Sequence, residues 1–255
     1  MTQPAPSTTH LVLIPSYNPG PRLLSTARAA LARWAPVWVI TDGSTDGSTA
    51  EILKLAATEP NLHVIVRPVN GGKGAAVLTA SAAALAAGFT HALVLDADGQ
   101  HPEERIPDFM AASRARPSAL IIGQPIFGPE APAVRLYGRK LSIGLVHFAT
   151  LGRVIADPLF GFRVYPLAPL VAALHSTRFA RRYDFDPEVA VRMIWAGTPV
   201  QNLPATCRYL TKSEGGISHF HYLRDNLRMI WLHTRLITEL IFRFPSILRL
   251  RGSAR

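Results

Sequence analysis

Short apolar runs alternate with longer Ala- and Leu-rich runs through the first half of the chain. Leu11 to Ile14, Val37 to Ile40, Leu62 to Val66 and His91 to Leu95 each read as a strand. Between them, Pro21 to Trp34, Ser48 to Thr58 and Gly74 to Gly88 read as helices. Ser48, with Glu51 three residues on, reads as a cap, and Gly88 as a stop. Strands that lack polar alternation and are separated by helices predict a mostly parallel sheet covered on both faces, with right-handed connections. Ligands of such a sheet bind beyond the carboxyl ends of its strands. Polar motifs follow each of these strands, so four separate segments converge on one edge.

The second half is less regular. Pro102 to Ala115 reads as a helix, Ala119 to Gly123 as a strand, and Gly128 to Ala133 as a loop. Arg135 to Leu151 reads as a helix, and Asp157 to Tyr165 as an irregular Gly/Pro segment. Pro187 to Ala196 is helical, Val200 to Leu210 supplies strand material, and Lys212 to Ser218 is a Gly-rich loop. A long helix starts at His221, and Pro245 is expected to end or kink it. No linker divides the chain. The expected organisation is a flexible leader over 1–9, an α/β domain over 10–218 and a basic amphipathic helical segment over 219–255.

Composition narrows the picture. With 255 residues, 48% of them hydrophobic, the chain can bury a substantial core. Its one cysteine, Cys207, permits no intrachain disulfide. The net charge of +10 favours anionic partners. Met229 to Phe244 is the best candidate for a membrane span, but His233, Arg235, Glu239 and Arg243 interrupt it, so contact with a membrane would be peripheral.

Candidate chemistry follows three of the strands. Asp96-Ala97-Asp98 places two carboxylates at i and i+2 after the fourth strand. Such a pair suits a hard cation, Mg²⁺ or Mn²⁺, which completes its shell with substrate phosphates; an Asp/Gly turn is the plainer reading. Asp42, after the second strand, can accept from a base or ribose, or serve a turn and cap. Asn70-Gly71-Gly72-Lys73-Gly74 opens a helix, where glycines allow close approach and Lys73 adds charge, or where they simply make a tight turn.

In order, Pro15-Ser16-Tyr17-Asn18, Asp42-Gly43-Ser44-Thr45-Asp46, Asn70-Gly71-Gly72-Lys73-Gly74, Asp96-Ala97-Asp98-Gly99-Gln100-His101-Pro102 and Asp157-Pro158-Leu159-Phe160-Gly161-Phe162-Arg163 form a series. The series resembles the family-2 inverting glycosyltransferases of GT-A fold, most of all the dolichol- and polyprenyl-phosphate sugar synthases. The resemblance spans roughly residues 10–215. It implies a nucleotide-diphospho-sugar transferase fold, an open mostly parallel sheet with helices on both faces, here followed by a C-terminal amphipathic helix. Pro15, Tyr17, Asn18 and Asp42 would then belong to the nucleotide end of the donor site. Asp96 and Asp98 would hold metal and donor, with Gln100 as a further ligand. Asp157, Gly161, Phe162 and Arg163 would border acceptor and diphosphate, where the Arg163 fork suits phosphate. Lys212 would sit on a loop that closes over the donor.

Three departures alter that implication. Thr41 stands where the family often has an acid. Gly123-Gln124-Pro125 lacks the arginine of a Gly-Ser-Arg triplet, a contact that Arg135 or Arg139 can replace. The Gln-x-x-Arg-Trp signature of processive synthases is absent, which implies transfer of a single sugar.

The expected activity is metal-dependent transfer from a GDP- or UDP-sugar to a lipid-linked acceptor such as polyprenyl phosphate, at the cytoplasmic face of an anionic membrane. A lipid phosphate needs no general base; a hydroxyl acceptor would, and Asp157 is the candidate, with Asp186 and Glu188 as rivals. Asp186 also reads as a helix cap. Arg224, Arg228, Arg235 and Arg243 fall near one stripe of the last helix, which either lies on lipid or packs on the domain. A fold that binds nucleotide-sugar or lipid without turnover is the alternative. A nucleic-acid partner is not expected, because no base-stacking aromatic cluster accompanies the charge.

Overall fold

A computed structural model describes residues 4–128, 133–207 and 222–252. Seven strands form one sheet: β1 (His10–Ser16), β2 (Val37–Asp42), β3 (Leu62–Arg67), β4 (His91–Val94), β5 (Leu120–Phe127), β6 (Arg163–Pro166) and β7 (Val200–Cys207). Their order is β3-β2-β1-β4-β6-β5-β7. β6 alone runs antiparallel to its neighbours, β4 and β5; the other pairings are parallel.

The apolar runs become strands because both faces are covered. Leu11, Leu13, Trp38, Ile40 and Val94 face one core with α3 (Lys73–Ala86), α6 (Leu167–His175) and α7 (Phe185–Trp195). Val12, Ile14, Val37, Val39 and Leu93 face the other, with α1 (Arg22–Leu31) and α4 (Ile106–Ala115). Isolated from water on both sides, such a strand has no polar positions to alternate. α2 (Ser48–Ala56) covers the edge beside β3, and α5 (Ala133–Ala149) packs against α8 (Tyr222–Gly252).

Four expectations change. The segment read as irregular ends in strand β6, and α6 follows it directly. The region from Pro102 begins as a 3₁₀ turn, Glu103–Arg105, before α4. Ser48 does not cap α2; the Asp46 carboxylate accepts from the Ser48 N–H (3.1 Å) and hydroxyl (2.6 Å). Pro245 lies inside α8, which continues to Gly252.

α8 is part of the core on one side. Leu232, Leu236, Leu240 and Ile247 are buried in the first cluster. The arginines on its expected stripe take different roles. Arg235 turns inward and pairs with the fully buried Glu188, whose carboxylate also takes Arg192 Nε (2.8 Å). Arg192 and Arg243 both bind Glu239 (2.8 Å each). Large apolar residues are exposed beside the outward arginines: Leu227, Ile230, Trp231, Ile241, Phe242 and Leu248, together with Tyr137, Leu141 and Phe148 on α5.

Candidate active site

The loops beyond β1 and β2 are tied together by side chains the sequence motifs supply. Asn18, in the left-handed region at φ 47°, donates its N–H to Ser44 Oγ (3.0 Å) and accepts from Thr45 N–H (2.7 Å). Gly20 N–H donates to Asp46 Oδ2 (2.7 Å). Burial pushes the Asp46 carboxyl up, but hydrogen bonds from Ser48 and Gly20 outweigh it and hold the pKa below its ordinary value.

Asp42 binds the third loop to the second strand. Its buried carboxylate accepts from Arg67 Nη1 (2.7 Å), Gly72 N–H (2.7 Å) and Gly71 N–H (3.1 Å). The glycines of that loop make room for protein: a Cβ on Gly72 would collide with the Arg181 carbonyl, and one on Gly74 with that of Ala180. Gly74 N–H donates to Arg181 O (3.0 Å) instead. The close approach expected of these glycines is thus to the segment leading into α7.

Lys73, the first residue of α3, reaches the fourth loop. Its Nζ lies 2.8 Å from Asp96 Oδ1 and 2.7 Å from Asp186 Oδ2. Burial opposes the charge on Lys73, yet Asp186 and then Asp96 prevail and raise its pKa above the ordinary lysine value. Asp186 Oδ1 is buried without a hydrogen-bond partner. His101, packed edge-on against Phe160 and Phe162, accepts the Asp96 N–H at Nδ1 (3.0 Å) and fixes the start of the loop.

Asp98 is differently placed. Its Oδ1 accepts from Gln100 N–H (3.0 Å), and burial together with the charge of Asp96 raises its pKa. The charge of Asp96 opposes ionisation of Asp98, a repulsion that a bound cation would relieve. The donor set, Asp96, Asp98 and the Gln100 amide, is all oxygen and suits Mg²⁺ or Mn²⁺. Among the described residues no group of three or more His, Cys, Asp and Glu side chains is placed to cage a metal, so remaining positions would fall to phosphate and water.

One cavity of about 1560 Å³ joins these parts. Pro15, Tyr17, Asn18, Asp42, Lys73, Asp96, Asp98, Gln100 and Arg139 all line it, and so does Asp186. It continues between α5 and α8, past Leu141, Leu145, Met229, Ile230 and Ile237. Among the described residues no helix is long and apolar enough to cross a membrane.

Other expected site residues fall elsewhere. Arg163 is fully buried: Nε donates to Phe160 O (2.8 Å), Nη2 to Pro158 O (2.6 Å) and Nη1 to Asp186 O (2.6 Å). It therefore has no fork to offer a phosphate, and the clamp expected of it is corrected to a brace for the 158–163 segment. Asp157 is buried under Arg139 Nη1 (2.7 Å) and faces a smaller neighbouring cavity of about 380 Å³. Glu188 is sealed among arginines and cannot serve as a base. Asp186 does not cap α7, where Asp184 holds the N-cap position; its carboxylate lies in the cavity wall. Lys212 and the side chain of Arg135 lie outside the described residues. The sequence carried one signal for Asp186, a second acid two residues before Glu188, but the pattern fits any helix start.

An open α/β sheet with paired carboxylates beyond its fourth strand is the architecture of the GT-A transferases. The chain is similar to the Mycobacterium tuberculosis glucosyl-3-phosphoglycerate synthase, solved with Mn²⁺, UDP-glucose and glycerol 3-phosphate (TM-score 0.59, 18% identity, 92% of this chain and 79% of that one). It is similar too to S. aureus TarS residues 1–349 solved with UDP-GlcNAc (TM-score 0.57, 17% identity, 96% and 73%). Residues 11–166 match Glycosyl transferase family 2, and the chain belongs to that family: it is a family-2 glycosyltransferase. Curated relatives include the polyprenol monophosphomannose synthase of Mycolicibacterium smegmatis, 30% identical over 84% of this chain and 81% of that protein. Another is the undecaprenyl-phosphate mannosyltransferase of Micrococcus luteus, 28% identical over 81% and 88%.

Proposed function

We propose that the chain moves one sugar from a GDP- or UDP-sugar to the phosphate of a polyprenyl-type lipid, with inversion and with Mg²⁺ or Mn²⁺. One observation carries this reading: a single cavity holds both a carboxylate pair suited to a hard cation and an apolar branch between two helices. Relatives named for undecaprenyl-phosphate and polyprenol substrates support the acceptor. Neighbours solved with Mn²⁺ and UDP-sugar support the donor and cation.

Asp96 and Asp98 would hold the cation, with Gln100 as a further oxygen ligand; bound there, it supplies Lewis acidity at the departing diphosphate. Lys73 places a second positive charge beside Asp96. Pro15, Tyr17 and Asn18 line the nucleoside end, whose shape Asp42 maintains by anchoring Gly71 and Gly72. Arg139 borders both cavities, with its charge engaged by Asp157 at 2.7 Å. An ionised lipid phosphate attacks without a base. Were the acceptor a hydroxyl, Asp186 would take its proton in place of Asp157, since Asp186 faces the cavity with one oxygen unpartnered.

The exposed apolar faces of α5 and α8, with Lys140 and Arg249 beside them, support peripheral contact with an anionic membrane. The test is a panel of GDP- and UDP-sugars with Mn²⁺, read by thermal shift and by transfer of label to polyprenyl phosphate. A donor should raise the melting point, and Asp98→Ala should abolish that rise while the fold persists. A mutant that responds like the parent, or a parent that transfers from no donor, overturns the reading.

A further inference from the structure

The phosphate of a lipid acceptor needs fixed positive charge, and among the described residues the positions expected to supply it do not. Arg163 spends its guanidinium on backbone carbonyls. β5 carries Gly123-Gln124-Pro125 with no arginine, and Arg139 is held by Asp157 at 2.7 Å.

Charge enters the cavity from another element. Arg224 and Arg228, in the first two turns of α8, both line it and are partly exposed. They share one counter-ion: Arg224 Nε lies 3.4 Å and Arg228 Nη1 3.1 Å from Asp225 Oδ1, a fully buried carboxylate. One acid holds two guanidiniums in place without neutralising both. Arg182 lines the same cavity, its Nη1 resting on the neutral Asn70 amide oxygen (2.9 Å). Beyond Arg228 the lining turns largely apolar, with Met229, Ile230 and Ile237 of α8 and Leu141 and Leu145 of α5, interrupted by Ser142, His233 and Thr234. A cationic pair at the head of an apolar groove fits a molecule with an anionic head and a hydrocarbon chain.

We propose that Arg224 and Arg228 form the acceptor-phosphate site, holding the ionised head of a lipid phosphate whose chain lies along the α5–α8 groove. This rests on the lipid-phosphate acceptor proposed above. The same chemistry is offered by a membrane headgroup, so the arms of the test separate the two sources.

Arg224→Gln/Arg228→Gln is compared with the parent and with Arg224→Lys/Arg228→Lys. Binding of farnesyl phosphate without vesicles is measured by calorimetry, sugar transfer to farnesyl phosphate is followed kinetically, and sedimentation with phosphatidylglycerol vesicles is scored separately. The glutamine pair should weaken farnesyl phosphate binding and raise the acceptor KM by about ten- to a hundredfold, with the donor KM within about twofold. The lysine pair should recover part of the loss. Unchanged acceptor binding and KM in the glutamine pair, in an enzyme that does transfer, overturns the site alone. Loss of vesicle sedimentation with soluble-acceptor kinetics intact assigns the arginines to the membrane and overturns it equally. A parent that neither binds nor glycosylates any lipid phosphate overturns the proposed function, and this site with it.

Discussion

Lys73 at the start of α3 donates to Asp186 near the start of α7 across 2.7 Å, although the two lie 113 positions apart in the chain. The same ammonium is 2.8 Å from Asp96. The first carboxylate of the candidate cation site is therefore held by Lys73, whose ammonium is fixed in turn by Asp186 from far along the chain.

Replacing Asp186 with Asn should keep the shape and halve the hold on Lys73. As with groups that orient metal ligands, a loss of about 10–100-fold in Mn²⁺ affinity or in kcat/KM is expected. Metal titration of the thermal shift reads the first quantity, and steady-state transfer the second.

Gly161 leaves the space in which this triad meets. A Cβ there would stand 2.6 Å from Lys73 Nζ and 3.0 Å from Asp96 Oδ2. The obstruction is the tip of a flexible side chain, so Gly161→Ala should lower stability by only about 1–3 kcal/mol. Activity should fall much further, because the displaced ammonium loses its two partners. Urea midpoints alongside donor-dependent thermal shifts would show the split.

Arg163→Met should act in the opposite sense. It strips hydrogen bonds from three buried carbonyls, those of Pro158, Phe160 and Asp186, at about 1–3 kcal/mol for each group left unpaired. Chemical denaturation should show a loss of at least about 3 kcal/mol. The folded fraction should keep the parent's donor KM, an outcome a phosphate-binding arginine would not give.

Glu188→Gln should loosen α8. Its carboxylate takes Arg192 and Arg235 together, and breaking a buried ion pair costs about 3–5 kcal/mol. Hydrogen exchange should speed up along α8 before it does in β1, β2 or β4.

Acid should weaken the fold through His10. Burial, then His91 and Arg114, lower its pKa from 6.5 to about 4. Its ring stacks on His91 with centroids 4.4 Å apart. An unfolded chain takes up this proton near pH 6.5, whereas the folded chain refuses it until about pH 4. The stability present above 6.5 is thus lost as pH falls toward 4, with a slope of at most about 1.4 kcal/mol per pH unit from this group. His10→Phe should flatten the urea midpoint across that window.

β1, β2 and β4 were legible in sequence because the sheet buries them on both faces, which leaves an uninterrupted apolar run, whereas the edge strand β3 was legible although it is only partly buried. β6 was illegible for the reverse reason. Its four residues begin with Arg163 and end with Pro166, and they are central only because distant neighbours cover them. The site divides in the same way. Asp96, Asp98 and Gln100 share one loop, so their spacing alone implied a common target. Arg163, Asp157 and Glu188 carry suitable charge, but their partners are carbonyls and ion pairs that spacing does not encode. Within the Arg stripe of α8, periodicity did not mark Arg235 as the member that Glu188 draws inward, while Arg224, Arg228 and Arg243 stay partly exposed.

β6 lies between β4 and β5, so Val94 pairs with Arg163 and Ile122 pairs with the same residue from the opposite side. During synthesis the ribosome delivers β4 and β5 well before the strand that separates them. Until Arg163 emerges, each of the two exposes an open edge able to recruit the wrong neighbour. Truncation upstream of Pro166 would leave that gap in the middle of the sheet, where a nascent chain is most exposed to aggregation.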